Sequence, residues 1–91
     1  MLRIDFEFRS LADTKKFPSK HRNQIGKKIE ALRHDPMPQD SIILQGKMRQ
    51  FRRADVGEYR IIYRVEGNTL FIGAIGKRND DDIYRRMTRR L

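Results

Sequence analysis

Cysteine is absent from this 91-residue chain, so it has neither a disulfide framework nor a thiol nucleophile. Long apolar runs are absent as well. No stretch is long enough for a signal peptide or a membrane-spanning helix, and the expectation is a cytoplasmic protein with no membrane partner. Low-complexity segments and internal repeats are missing, and the length fits one domain over residues 1–91. Acidic residues are in short supply. Lys and Arg number 21 against 12 Asp and Glu, which leaves a formal net charge of +9 and a pI near 10.5. That imbalance points to a nucleic acid or an acidic protein as partner, and says nothing about fold. Hydrophobic residues make up 37% of the chain, enough for one modest core. Domains of this size are marginal and often lean on a partner.

What the chain does have is concentrated between Phe51 and Arg78. From Tyr59 to Val65 the residues alternate: Tyr59, Ile61, Tyr63 and Val65 point one way, Arg60, Ile62 and Arg64 the other. β-Branched and aromatic residues dominate, as on a half-buried pleated surface. Glu66, Gly67 and Asn68 break the run as a turn. Thr69 to Ile75 is apolar on both faces, as in an inner strand. Asp55 to Glu58 reads as an earlier turn, with a shorter strand around Met48 to Ala54 before it. Three strands joined by short turns make an antiparallel meander.

Hairpin geometry gathers the basic residues Arg52, Arg53, Arg60, Arg64, Lys77 and Arg78 at one end of that sheet. A first turn centred near Val56 sets Arg52 opposite Arg60. A second turn between Gly67 and Asn68 sets Arg60 opposite Ile75, close to Lys77 and Arg78. A one-residue slip exchanges the faces. Like charges facing one another destabilise a sheet, so such a cluster implies a polyanion to offset it; the plainer reading is a solvated basic face.

The remaining segments read in order. Leu2 to Phe8 alternates strictly, a strand with one wet face. Ser10 is a fair N-cap for a short helix over Leu11 to Lys16, stopped by Pro18. Ser19 can cap a second helix, whose apolar stripe is Ile25, Ile29 and Leu32. Asp35 and Pro36 end it, and Ser41 to Leu44 is a short apolar piece before Lys47. Asn79 or Asp80 can cap a last helix with Ile83, Met87 and Leu91 on one stripe and Tyr84 beside it. The order β-α-α-β-β-β-α predicts an α+β fold: a small antiparallel-rich sheet against an N-terminal helical pair, with a C-terminal helix.

Order, length and motif resemble the RelE/ParE superfamily of type II toxin–antitoxin toxins, and the RelE branch in particular. The resemblance covers nearly the whole chain. It is carried by Leu44-Gln45-Gly46 leading to Phe51, by Gly57-Glu58-Tyr59-Arg60-Ile61-Ile62-Tyr63, and by Ile75-Gly76-Lys77-Arg78 followed by Tyr84. It implies a ribosome-dependent endoribonuclease that cuts mRNA in the A site. The implied reaction needs no metal or other cofactor: the ribose 2′-OH attacks the adjacent phosphate and expels the 5′-oxygen. It also implies a cognate RelB-like antitoxin, with the ribosome and mRNA as further partners. The family's catalytic positions fall on Arg52, Arg60, Arg78 and Tyr84, and Arg53, Arg64, Lys77 and Lys47 are candidates for RNA binding. This chain departs from the family's alternating basic strand at Ala54, which leaves the general base unassigned.

The chemistry agrees with those residue types. Guanidinium groups stay charged and bind phosphate in bidentate fashion, and preorganised charge is often the largest catalytic contribution. Tyr84 can stack on a base or exchange a proton; its plainer reading is an aromatic beside the helix stripe. For Arg60 the plainer reading is a salt bridge to Glu58 or Glu66, and for Arg78 a pair with Asp81 or Asp82. His21 and His34 read as surface residues remote from the cluster. Asp80, Asp81 and Asp82 read as helix-start charges, because consecutive carboxylates on a helix cannot all face one ion. Tyr59 and Tyr63 read as core. Two other functions share these features: a ParE-like poison of DNA gyrase, and a non-catalytic RNA-binding relative.

Overall fold

A computed structural model of the chain describes residues 1–79 and 82–90. The elements in order are β1 (Arg3–Phe6), a 3-10 turn (Ala12–Thr14), α1 (Ser19–His34), β2 (Ser41–Ile43), a second 3-10 turn (Gly46–Met48), β3 (Arg52–Val56), β4 (Tyr59–Glu66), β5 (Thr69–Lys77) and α2 (Asp82–Arg90). The strands form one sheet in the order β1-β5-β4-β3-β2. β1 runs parallel to β5, and the other neighbours are antiparallel. The α+β class therefore holds.

Each helix covers one face of the sheet, and alternation along β4 decides which residue goes where. Tyr59, Ile61 and Tyr63 point to the α1 side, where Ile25, Ile29 and Leu32 meet them along with Leu70, Ile72 and Ile75. Ile62 points the other way and joins Met48, Phe51, Ala74, Ile83 and Met87 under α2. Each Ile, Leu, Phe or Met side chain among them contributes about 1.5–3 kcal/mol when fully buried. A β-bulge makes the two sets compatible. Tyr63 pairs with Ile72 but Ile62 pairs with Ala74, so Gly73 is the extra residue. Even-numbered Leu70 and Ile72 precede it, odd-numbered Ile75 follows it, and all three still face α1. Glycine is required here by close approach: a Cβ on Gly73 would lie 2.9 Å from Met87 Cε and 3.2 Å from Phe51 Cε1.

Several expected elements are altered. The helix expected over Leu11 to Lys16 is only the 3-10 turn Ala12–Thr14, so α1 has no helical partner. Ser10 does not cap it. It is fully buried and donates its hydroxyl to the Ile72 carbonyl at 2.7 Å. β1 stops at Phe6 because Phe8 and Arg9 adopt left-handed φ values of 55° and 61°. Pro18 occupies the N-cap of α1 and Ser19 is its first residue. β3 starts at Arg52, since Met48 belongs to the preceding 3-10 turn, and the piece before that turn forms the edge strand β2. The proposed cap at Asp80, the pairings with Asp81 and the stripe residue Leu91 fall outside the described residues.

The Gly73 contact yields a stability test. Gly73→Ala is expected to cost about 1–3 kcal/mol through overpacking against Met87. In a Met87→Ala background, which removes the colliding methyl, the same change is expected to cost clearly less. Urea unfolding midpoints of the four proteins measure the difference; equal costs in both backgrounds would show that the contact is not strained.

Candidate active site

The site is built from the register of the β3–β4 hairpin. Gly57, at φ +57°, and Glu58 form the turn, so Val56 pairs with Tyr59 and Asp55 with Arg60. The turn thus lies further along the chain than a centre at Val56. Arg52 is placed opposite Tyr63 and not opposite Arg60. On the other side of β4 the bulge shifts Arg60 from Ile75 to Gly76. Arg60 then has a glycine beside it, under the N-terminal half of α2, where a Cβ on Gly76 would approach Ile83 and Arg86.

On this face three side chains converge. Arg60 Nη1 donates to Tyr84 Oη at 2.7 Å, and Arg53 Nη1 donates to the same oxygen at 3.1 Å. The Arg60 guanidinium also lies 5.9 Å from the Tyr84 ring centre, within cation–π range. Asp55 holds Arg60 from behind, with Oδ1 accepting from Nε at 2.8 Å and Oδ2 from Nη2 at 3.4 Å. The hydrogen bond to Arg60 is the main reason the Asp55 carboxyl titrates below the ordinary carboxylate range, assisted by the charges of Arg60, Arg78 and Arg53 against a burial effect of opposite sign. The same bond raises Arg60 further. Arg53 has no carboxylate within 4.0 Å among the described residues, so its charge is uncompensated by an ion pair.

Tyr84 reaches this position because α2 is pinned. Ile83 and Met87 are buried against the sheet, and Arg86 Nη1 binds Asp13 Oδ1 at 3.2 Å. Asp82, in the first turn of α2, lies 3.3 Å from Arg86 Nε. Among the described residues no three His, Cys, Asp or Glu side chains are grouped so as to hold a metal ion.

The expected site residues are therefore not all together. Arg60 and Tyr84 are in direct contact. Arg53, expected as an RNA contact, occupies the inner position, and Arg52, expected as catalytic, does not. Arg52 faces α1 and donates to Ser41 Oγ at 3.1 Å, because adjacent strand residues point to opposite faces. Arg78 stands at the rim, 3.9 Å from Asp55 and 54% exposed, its backbone N–H bonded to the Glu58 carbonyl. Lys77 pairs with Tyr59 and so belongs to the α1 side of the sheet end. Arg64 is four residues along β4 from Arg60, about 13 Å at strand spacing. Its guanidinium is taken up by Glu7 at 2.9 Å, Glu66 at 2.6 Å and the Phe71 ring at 4.1 Å, which makes it a structural residue and not an open RNA contact. Lys47 is exposed on the Gly46–Met48 turn beside Arg49. Tyr59 and Tyr63 are core residues, as expected. Asp55 was expected only as a turn residue; the signal for its role is the hairpin register, which depends on where the turn falls.

A cleft of about 570 Å³ opens elsewhere, between the start of α1, the ends of β4 and β5 and the start of α2. Phe17, Tyr59, Lys77 and Arg86 help to line it, and Arg53, Arg60 and Tyr84 do not. The converging cluster thus lies apart from this cleft.

The architecture is one that solved structures share, the RelE-like α+β fold. The free form of a doubly substituted RelE from Escherichia coli superposes with a TM-score of 0.78 at 22% identity, covering 99% of this chain and 97% of that one. Isolated Escherichia coli RelE gives 0.74 at 24% identity, with 99% and 98% covered. The toxin–antitoxin complex RelBE2 of Mycobacterium tuberculosis gives 0.75 at 20% identity, with 85% and 98% covered. At these identities the likeness establishes the fold. No curated protein matches the sequence. Residues 6–82 match the family model for the ParE toxin of type II toxin–antitoxin systems, parDE, and the chain belongs to that family, within the RelE/ParE superfamily.

The Asp55–Arg60 pair generates a pH prediction. A carboxyl whose folded value is depressed contributes stability that is full above its unfolded value, about 3.9, and is lost as pH falls through the lower folded value. Wild-type protein should accordingly lose more stability than Asp55→Asn between pH 6 and pH 2.5 (about the span around those values). Thermal midpoints across that span measure it, and parallel curves would mean that the pair is not linked to folding.

Proposed function

We propose that this type II toxin acts as an endoribonuclease on mRNA in the ribosomal A site, with a RelB-like antitoxin as its cognate inhibitor. The observation that carries the reading is the Tyr84 hydroxyl held between Arg53 and Arg60 at 3.1 and 2.7 Å. Cleavage through the RNA's own 2′-OH forms a bond from that oxygen to the adjacent phosphorus and breaks the bond to the 5′-oxygen. The products are a 2′,3′-cyclic phosphate and a 5′-hydroxyl. Charge accumulates on the phosphorane oxygens, and fixed guanidinium groups placed there lower the barrier. Arg53 and Arg60 supply that charge, and Arg78 adds to it from the rim.

The Tyr84 oxygen already accepts two N–H bonds, so its own proton is directed away from the arginines. That proton is the one the site can deliver to the leaving 5′-oxygen, while the 2′-OH proton passes to solvent water as the 2′-O–P bond forms. Lys47 and Arg49, exposed on the neighbouring turn, and Arg78, exposed just beyond β5, would hold flanking phosphates and set the strand's position without reading its sequence. The antitoxin reading is supported by relatives solved as toxin–antitoxin complexes, among them RelBE2 and the intact Escherichia coli RelBE. An acidic segment that folds on binding would complement the +9 charge of this chain.

The test is primer extension on a translated reporter mRNA with purified protein, with and without bacterial ribosomes. Cuts within codons are expected only when ribosomes are present. Arg53→Ala and Arg60→Ala are each expected to lower the rate by about 10²–10³-fold while ribosome binding persists, the loss typical of removing one preorganised donor. Arg52→Ala is expected to leave the rate within about threefold of wild type, since its side chain faces α1. Cuts on naked RNA would remove the ribosome from the mechanism. Folded protein that cuts under neither condition would overturn the nuclease reading, and a gyrase supercoiling assay would then address the ParE-like alternative.

A further inference from the structure

A carboxylate in the middle of a cationic, phosphate-binding face weakens the attraction of that face for RNA, so its presence calls for a reason. Asp55 is such a group. Its oxygens accept from Arg60 Nε at 2.8 Å and Nη2 at 3.4 Å, a two-point grip on the side edge of the guanidinium. Arg60 Nη1 is engaged by Tyr84 at 2.7 Å. A guanidinium has five N–H groups in a fixed fork. These bonds use one each on Nε, Nη1 and Nη2, which leaves one N–H on each terminal nitrogen without a partner among the described residues.

We propose that Asp55 is a positioning residue: it holds the side edge of Arg60 so that the terminal nitrogens are presented together to an RNA phosphate. This rests on the endoribonuclease reading above. A free arginine side chain samples many rotamers, and ordering it on substrate binding costs conformational freedom. Asp55 imposes that order beforehand, from a strand position directly across from Arg60. It is not the general base, because both of its oxygens already face guanidinium N–H groups. Arg53 carries no such restraint within 4.0 Å among the described residues. The two cations therefore differ in their partners: Arg60 is ion-paired to Asp55 and bonded to Tyr84, whereas Arg53 is bonded to Tyr84 without an ion pair among the described residues.

Single-turnover cleavage on programmed ribosomes tests this, in a cycle of Asp55→Ala and Arg60→Ala. Asp55→Ala alone should lower the cleavage rate by about 5- to 10-fold with apparent affinity changed less than about twofold. In the Arg60→Ala background the same substitution should change the rate by no more than about twofold, because a residue acting only through Arg60 has nothing left to position. Asp55→Glu should restore part of the lost rate. A loss of similar size in both backgrounds, or a change confined to affinity, would overturn the proposal.

A readout independent of activity keeps this separate from the nuclease reading. The Arg60 Nε–H should give a resolved, slowly exchanging NMR signal in wild type that broadens or collapses in the near-isosteric Asp55→Asn. An unchanged signal would overturn the positioning role even if cleavage is confirmed. A wild-type protein that shows the signal but does not cleave would retain the positioning of Arg60 and overturn the nuclease reading.

Discussion

The single extra residue at Gly73 governs how this sheet serves two helices. A strand without a bulge presents alternate residues to alternate faces for its whole length. With the bulge, β5 directs Leu70, Ile72 and Ile75 to the α1 core and Ala74 to the α2 core. It also offers a surface with no side chain at Gly73, where Met87 and Phe51 come closest. The seat of α2, and through it the location of the Tyr84 hydroxyl, follows from that geometry. Without the extra residue Ile75 would turn to the α2 face and stand beside Arg60 in place of Gly76.

The chemistry of the face depends on unequal treatment of like residues. Arg64 is bound by two carboxylates and an aromatic ring, and it welds β4 to the segment after β1. Arg60 is held by one carboxylate and one phenol. Among the described residues the Arg53 guanidinium donates to the phenol and has no carboxylate within 4.0 Å. The same side chain thus serves as a structural tie, an oriented donor and an open charge within one sheet. What distinguishes them is the identity of the residue opposite: Phe71 for Arg64, Asp55 for Arg60 and Ile62 for Arg53.

Much of this was legible in the sequence, and the failures share one cause. Alternation in Tyr59 to Val65 correctly divided the residues between the two faces of the sheet, because a period of two does not depend on the partner strand. The stripes of α1 and α2 were legible for a similar reason: Ile25, Ile29 and Leu32, and Ile83 and Met87, keep helical spacing by themselves. Facing across strands was not legible. It depends on the turn, and moving the turn from Val56 to Gly57-Glu58 exchanged Arg52 for Arg53 and brought Asp55 against Arg60. A bulge leaves even less trace, since Gly73 reads equally well as an ordinary interruption. The Leu11 to Lys16 helix failed because Ser10 serves the sheet, with its hydroxyl on Ile72, and not a helix end.

The parallel pairing of β1 with β5 also orders events in time. Ser10 and the Ile72 carbonyl it binds are separated by 62 positions. No such bond can form until nearly the whole sheet has been synthesised, so the first strand to be made must wait for its neighbour. The bonds between β1's neighbour Leu2 and Arg33 of α1 have no such wait, since both partners lie within residues 1–34. α2 comes later still. A nascent chain that has released Arg53 and Arg60 into solution carries the charge of the face, but the hydroxyl that joins the two arginines arrives only with the final helix.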